Sequence, residues 1–242
     1  MKHLIATAPA LLVAAVSHAA PMNPGVTYND AIGDVSPNIF AGNGTLDLVS
    51  MEVSNTATDI QFALTVNGNI SSTDWGKFMI GIAAGGAPSN NGNGWNRPIN
   101  MDSASGGMTT WLGSWVDGGG GAENRTFSGG NWGLTGATYN GNFGTIALAS
   151  GGQSTVTLTV SLASLGLSAG STFYFDAYSS GGGGGDGAVD ALANPNVSIS
   201  DWGGAYTSQG SNLFSYTVTA IPAPGAMALL ALAGAVGSRR RK

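Results

Sequence analysis

Cysteine is missing from all 242 residues, and histidine is nearly so, with only His3 and His18 near the start. Without thiols there are no disulfide staples, thiolate metal sites or thiol nucleophiles. With the first twenty residues read as a cleaved leader, no imidazole remains either. Ser-His-Asp triads, His-ligated zinc and His-ligated haem then drop out together. A haem would have to use methionines such as Met79, which the local pattern reads as core. Charge is sparse, at 9% of residues, and positive charge is sparser. Positions 21–220 hold Lys77, Arg97 and Arg125 against thirteen Asp and Glu, three minus thirteen or −10. Such a surface repels phosphate backbones and anionic lipid, whose affinity comes from Lys and Arg. Nucleic acid is therefore excluded as a partner.

Glycine is in excess, at 40 residues, but without the three-residue period of collagen, so it marks turns and long loops. The first end has a basic start at Met1–His3, an apolar stretch from Leu4 to Val16 and a small-x-small site at Ser17-His18-Ala19. That is the layout of a signal peptide over residues 1–20, cut by signal peptidase. Its thirteen-residue apolar stretch is too short to span a bilayer. At the other end, residues 221–242, Ile221-Pro222-Ala223-Pro224 precedes an apolar run from Ala226 to Gly237 and the cations Arg239, Arg240, Arg241 and Lys242. The prolines end the preceding strand, the apolar run enters the membrane, and the cations stay on the cytoplasmic side. A short apolar helix is expected in each terminal segment. The 200 residues from 21 to 220 suit one domain with a core large enough to fold unstapled.

The tail resembles the PEP-CTERM sorting signal, in which a Pro-Glu-Pro-like motif precedes an apolar helix and terminal arginines. Ala223 stands where that pattern has Glu, making this a Pro-Ala-Pro variant. The resemblance implies an exosortase-like membrane processing enzyme as a partner. It also implies a location at the cell envelope, cell surface or extracellular matrix.

Between the ends, Ile60, Phe62, Leu64 and Val66 alternate with Gln61, Ala63 and Thr65, and Val156, Leu158, Val160 and Leu162 alternate with Thr or Ser. Period-two alternation predicts half-buried strands. Shorter patterns predict more at Leu46–Val53, Lys77–Ile82, Thr109–Val116, Gly144–Ala149, Thr172–Tyr178 and Leu213–Thr219. The connections are too short for helical crossovers, so the strands are expected to pair antiparallel. The one helical candidate, Ser161–Leu167, is about one turn long. Two Gly-rich, Pro-containing loops, Ala83–Pro98 and Ser179–Pro195, are long enough to carry function. The expected fold is an all-β antiparallel sandwich, jelly-roll-like. Tyr28-Asn29-Asp30-Ala31-Ile32-Gly33-Asp34, Leu46-Asp47-Leu48, the Asp59–Val66 strand and Asp74-Trp75-Gly76-Lys77-Phe78 are similar to the DOMON-like superfamily, which includes family-nine carbohydrate-binding modules. That resemblance implies sugar binding, or in some members haem, on one sandwich face or its loops.

Glycoside hydrolysis needs an acid paired with a base or nucleophile. Thirteen acids offer many pairs and no specific one, so no catalytic residue is assigned and the domain is read as noncatalytic. Gly181–Val189 fits the calcium nonapeptide pattern Gly-Gly-x-Gly-x-Asp, but one copy cannot stack into a β-roll. Asp186 with Asp190, or Asp30 with Asp34, can still supply oxygen ligands to one calcium ion. Six tryptophans fall between residues 75 and 202. An indole face stacks on the apolar face of a sugar ring while its N–H seeks a wet edge. Trp111 and Trp115, four apart on a strand, point to one face with Gly113 between them as an open slot. Trp95 sits in a Gly-Asn loop, and Asn96, Arg97 and Asp117 add polar contacts. The expectation is an exported, noncatalytic domain that binds extracellular polysaccharide through these residues. The alternatives are a structural matrix protein without a small ligand, or a carboxylate-dependent glycoside hydrolase.

Overall fold

The alternation of apolar and Thr/Ser residues produces the strands it predicts, and regions without alternation reveal a further layer. A computed structural model describes residues 22–39, 44–70, 75–85, 92–102, 107–137 and 152–221. Asp74, the expected strand Gly144–Ala149, and residues 1–20 and 222–242, where a short apolar helix was expected in each targeting segment, lie outside the described residues. Within them the strands are β1 (Val26–Asn29), β2 (Leu48–Asn55), β3 (Asp59–Val66), β4 (Lys77–Ala83), β5 (Ile99–Asp102), β6 (Thr110–Trp115), β7 (Gly121–Ser128), β8 (Asn131–Ala137), β9 (Ser154–Ser161), β10 (Thr172–Ser180), β11 (Ala188–Ala191), β12 (Tyr206–Gln209) and β13 (Phe214–Thr217). The expected helical turn is a 3₁₀ turn over Ala163–Leu165, closed by Gly166 in the left-handed region at φ 66°.

A four-stranded sheet runs β1-β2-β3-β9, and a larger sheet runs β11-β10-β4-β6-β7-β8, with β13 also paired to β10. Every pairing in both is antiparallel, as expected. β3 and β9 bury alternate residues, so the small sheet keeps one face in the core. β4 and the Phe175–Ser180 part of β10 do not alternate and are buried on both faces. One face of this larger sheet carries Phe78, Ile80, Ile82, Phe173 and Phe175. It meets the small sheet through Phe62, whose ring lies 6.1 Å from Phe173 and 6.4 Å from Phe175.

The opposite face is covered by a third layer. There β5 and β12 form a two-stranded parallel pair, correcting the expectation of antiparallel pairing throughout. Short connections dictate antiparallel pairing only for strands near in sequence, and about a hundred residues separate these two, enough for a parallel return. Tyr206 of β12 packs 6.1 Å from Tyr178, which stacks on Trp111 at 6.0 Å. Gly81 is a glycine because a Cβ there would lie 2.6 Å from Met108 Sδ and 3.1 Å from Met101 Cε. Among the described residues there is no α-helix, and no helix long and apolar enough to cross a membrane.

Candidate sugar cleft and acidic cluster

Register puts Trp111, Gly113 and Trp115 on one face of β6, as expected, and pairs Lys77 with Trp115 on β4. The slot over Gly113 is nevertheless closed. Trp95 descends from the 92–98 loop and lays its indole on Gly113, in contact with the position a Cβ would occupy. Its ring centroid is 6.1 Å from Trp111 and 6.2 Å from Trp115. Trp111 is 0% exposed and cannot meet a ligand, which corrects its assignment as a stacking platform. A side-chain-free position between two indoles on a strand attracts a third indole from the chain itself, because that buries apolar area without a cavity.

Asn93, which sequence reasoning missed, holds this loop. Its Nδ2 donates to the carbonyls of Arg97 and Ile99 at 2.9 and 2.7 Å, and its Oδ1 accepts from the N–H of Trp95 and of Arg97 at 3.0 and 3.3 Å. Asn96 stands exposed at the turn with φ 54°, a left-handed conformation that Asn tolerates. Trp95 Nε1 donates to Glu123 Oε1, which also accepts from Arg125 Nε at 2.6 Å. Asp117 pairs with Lys77 Nζ at 2.9 Å. Arg97 lies 5.6 Å from the Trp95 ring centroid and donates from Nη1 to Ser180 Oγ and to the carbonyls of Gly181 and Asp186. Burial pushes the Arg97 guanidinium below its ordinary value, partly offset by the Asp186 charge. Lys77, Trp95, Arg97 and Gly184 line a small open pocket of about 220 Å³.

Next along the same glycine run lies a larger open cleft of about 430 Å³, lined by Trp75, Gly181, Gly182, Gly183, Asp186 and Trp202. Trp75 and Trp202 are half-buried and meet edge to face at 5.8 Å and 83°. Neither was among the residues expected from the sequence to bind a ligand. Gly181–Gly185 contains no positive φ, so its glycines are not there for turn geometry. A Cβ on Gly181 would lie 2.8 Å from Trp202, one on Gly182 3.2 Å from Trp75 O, and one on Gly183 2.6 Å from Asp186 Oδ1. The run is thin backbone that lets two indoles and a carboxylate close around it. Gly184 and Gly185 meet nothing within 4 Å and leave the rim open. Asp186 Oδ2 accepts from Gly183 N–H at 2.8 Å, which aligns its carboxylate along the cleft.

Of the four acids expected to bind metal, Asp30 and Asp34 come together as one of the two expected pairs, but Asp186 and Asp190 part company. Asp186 belongs to the cleft, whereas Asp190 on β11 joins Asp30 and Asp34, with one oxygen of each within 4.8 Å of the others. Asp30 follows β1, anchored by its N–H to Val49 O at 2.9 Å, and Ser36 N–H reaches Val189 O at 2.8 Å, so the 30–36 loop is folded back over β11. Asp190 is 0% exposed and accepts from the N–H groups of Leu48 and Ala191. Asp30 Oδ2 and both oxygens of Asp34 are inaccessible and have no hydrogen-bond donor. Desolvation, then the neighbouring carboxylates, pushes Asp30 up to about 7 and Asp190 up to about 8. Asp34 is raised too, chiefly by desolvation. Calcium–oxygen distances of about 2.3–2.6 Å place ligands on opposite sides of an ion roughly 4.6–5.2 Å apart. One oxygen from each of three carboxylates within 4.8 Å, with unpartnered oxygens on Asp30 and Asp34, is compatible with one calcium shell.

No protein-family model matches the chain, and no curated protein matches it.

Proposed function

We propose that residues 21–220 form a jelly-roll-like β-sandwich, exported to the cell envelope or matrix, that binds extracellular polysaccharide without cleaving it. The Trp75–Trp202 cleft carries the reading. Two half-buried indoles, a backbone floor of glycine and one aligned carboxylate are the components a sugar ring uses: apolar faces to stack on and an acceptor for hydroxyls. Trp95, Arg97 and Lys77 extend the site along the glycine run. Hydrolysis by the two-carboxylate route needs a second acid in reach, and among the described residues Asp186 is the one carboxylate lining either hollow. A calcium ion at Asp30, Asp34 and Asp190 serves as a structural tie between the first loop, β2 and β11. The signal peptide delivers the chain to export, and the Pro-Ala-Pro tail retains it at the envelope through an exosortase-like enzyme.

A glycan-array screen tests the binding reading. A reproducible polysaccharide hit that disappears in Trp202→Ala, with the melting transition retained, is the expected result. Uniform silence across the array would instead favour a structural matrix protein. Trp111→Ala is unsuitable as the probe because it removes a core side chain.

A further inference from the structure

The three cations between residues 21 and 220 converge on one place in a domain of net charge −10. Lys77 and Arg97 line the small pocket with Trp95, and Arg125 shares Glu123 with the Trp95 indole. Two of them are already matched: Lys77 by Asp117 at 2.9 Å and Arg125 by Glu123 at 2.6 Å. Arg97 is not. It is 5% exposed, its Nη1 bonds reach neutral oxygens, and no salt bridge to it exists among the described residues. The Asp186 charge offsets its burial only in part and forms no ion pair with it, so an opposite charge in direct contact would relieve the remaining desolvation penalty.

Resting on the carbohydrate reading above, we infer that the polysaccharide is anionic, and that a carboxylate-bearing sugar enters the pocket between Arg97 and Lys77 with its ring against Trp95. The planar guanidinium and the carboxylate are complementary, and the indole beneath supplies the stacking surface. The Asp117 partner of Lys77 is 45% exposed at its side chain, so water can take over its solvation when the lysine turns to a ligand. The long-range repulsion of a −10 domain is screened beyond about 8 Å at physiological salt, whereas a buried pair is not. Asp186 makes the neighbouring cleft the place for a neutral ring. The two hollows along Gly181–Gly184 therefore suit a polymer in which acidic and neutral sugars are adjacent.

The test uses the protein purified after export of the full-length chain. Its probes are oligogalacturonates, oligoglucuronates and alginate oligomers, each beside its carboxyl-reduced, neutral counterpart, titrated by calorimetry at physiological salt. The expected result is that at least one acidic oligomer binds about tenfold or more tighter than its reduced form. Lys77→Gln should remove that advantage and Lys77→Arg should restore it. If reduced oligomers bind as tightly as the acidic ones, and lose binding in Trp202→Ala, the anionic inference fails while the carbohydrate reading stands. If no member of either series binds, both fail.

Discussion

If calcium occupies the proposed site, removing it should perturb the Asp30, Asp34 and Asp190 cluster and little else. In the metal-free state three carboxyl groups within 4.8 Å must share protons or repel one another, and three of their oxygens have no donor to offset the loss of water. A cation bound only by the folded chain stabilises it by mass action, about 2.7 kcal/mol at a free concentration one hundred times the dissociation constant. For a domain of this size each kcal/mol raises the melting temperature by about 2–4 °C, so millimolar calcium should raise it by about 5–10 °C relative to chelator. Scanning calorimetry in calcium and in EDTA is the assay, with magnesium as a control for a cation that dehydrates reluctantly. Asp34→Asn should shift the two curves in opposite directions. It removes a ligand, lowering the transition in calcium, and it removes a repelling charge, raising it in EDTA. Superimposable wild-type curves in calcium and EDTA would refute the metal assignment.

The same cluster sets a pH dependence. Asp30 and Asp190, at about 7 and about 8 in the folded chain against an ordinary 3.8, hold protons that the unfolded chain has released. The stability they contribute is full below about pH 4 and lost as pH rises through 7 and 8, so the melting temperature in EDTA should fall from pH 5 to 9. Calcium should flatten that fall and release protons on binding, measurable as a buffer-dependent heat. Gly113→Ala places a methyl group into the Trp95 indole and should cost about 1–3 kcal/mol, with a red shift of tryptophan emission as the ring is expelled; an unchanged spectrum would contradict the packing. Deleting residues 221–242 should release the protein from the envelope fraction, and unchanged fractionation would show that the tail is no sorting signal.

Strands whose two faces meet different surroundings were legible in the sequence. β3 and β9 have a core face and a wetter face, and Thr alternating with Val or Leu records that directly. β4 and β10 read as strands too, yet the burial of β4 and of the Phe175–Ser180 part of β10 on both faces shows only once the third layer is in place. That layer was illegible because β5 and β12 are four residues each and pair across about a hundred residues. β7, with Glu123, Asn124 and Arg125 in mid-strand, gave no apolar period; there Glu123 bonds to Trp95 and Arg125. At the site, the tryptophans and Arg97 drew notice by residue type, but their roles depended on position. Gly113 suggested an open slot and gave no sign that Trp95, eighteen residues earlier, would fill it. Asp190 pairs with Asp30 and Asp34 across more than 150 residues, a grouping that spacing along the chain cannot reveal. The glycine run looked like a metal loop, and the indoles that require it lie a hundred residues upstream and twenty downstream.

The carbohydrate reading is tested most directly by watching the indoles themselves. The six Trp Nε1–H resonances of the ¹⁵N-labelled protein, assigned by single Trp→Phe variants, should be followed as the acidic and neutral oligosaccharides are titrated in. Trp75 and Trp202 are predicted to shift in a saturable manner, with Trp95 joining them for acidic oligomers. Trp111, sealed in the core, should stay still. Six unmoved indole resonances at saturating oligosaccharide would contradict the account.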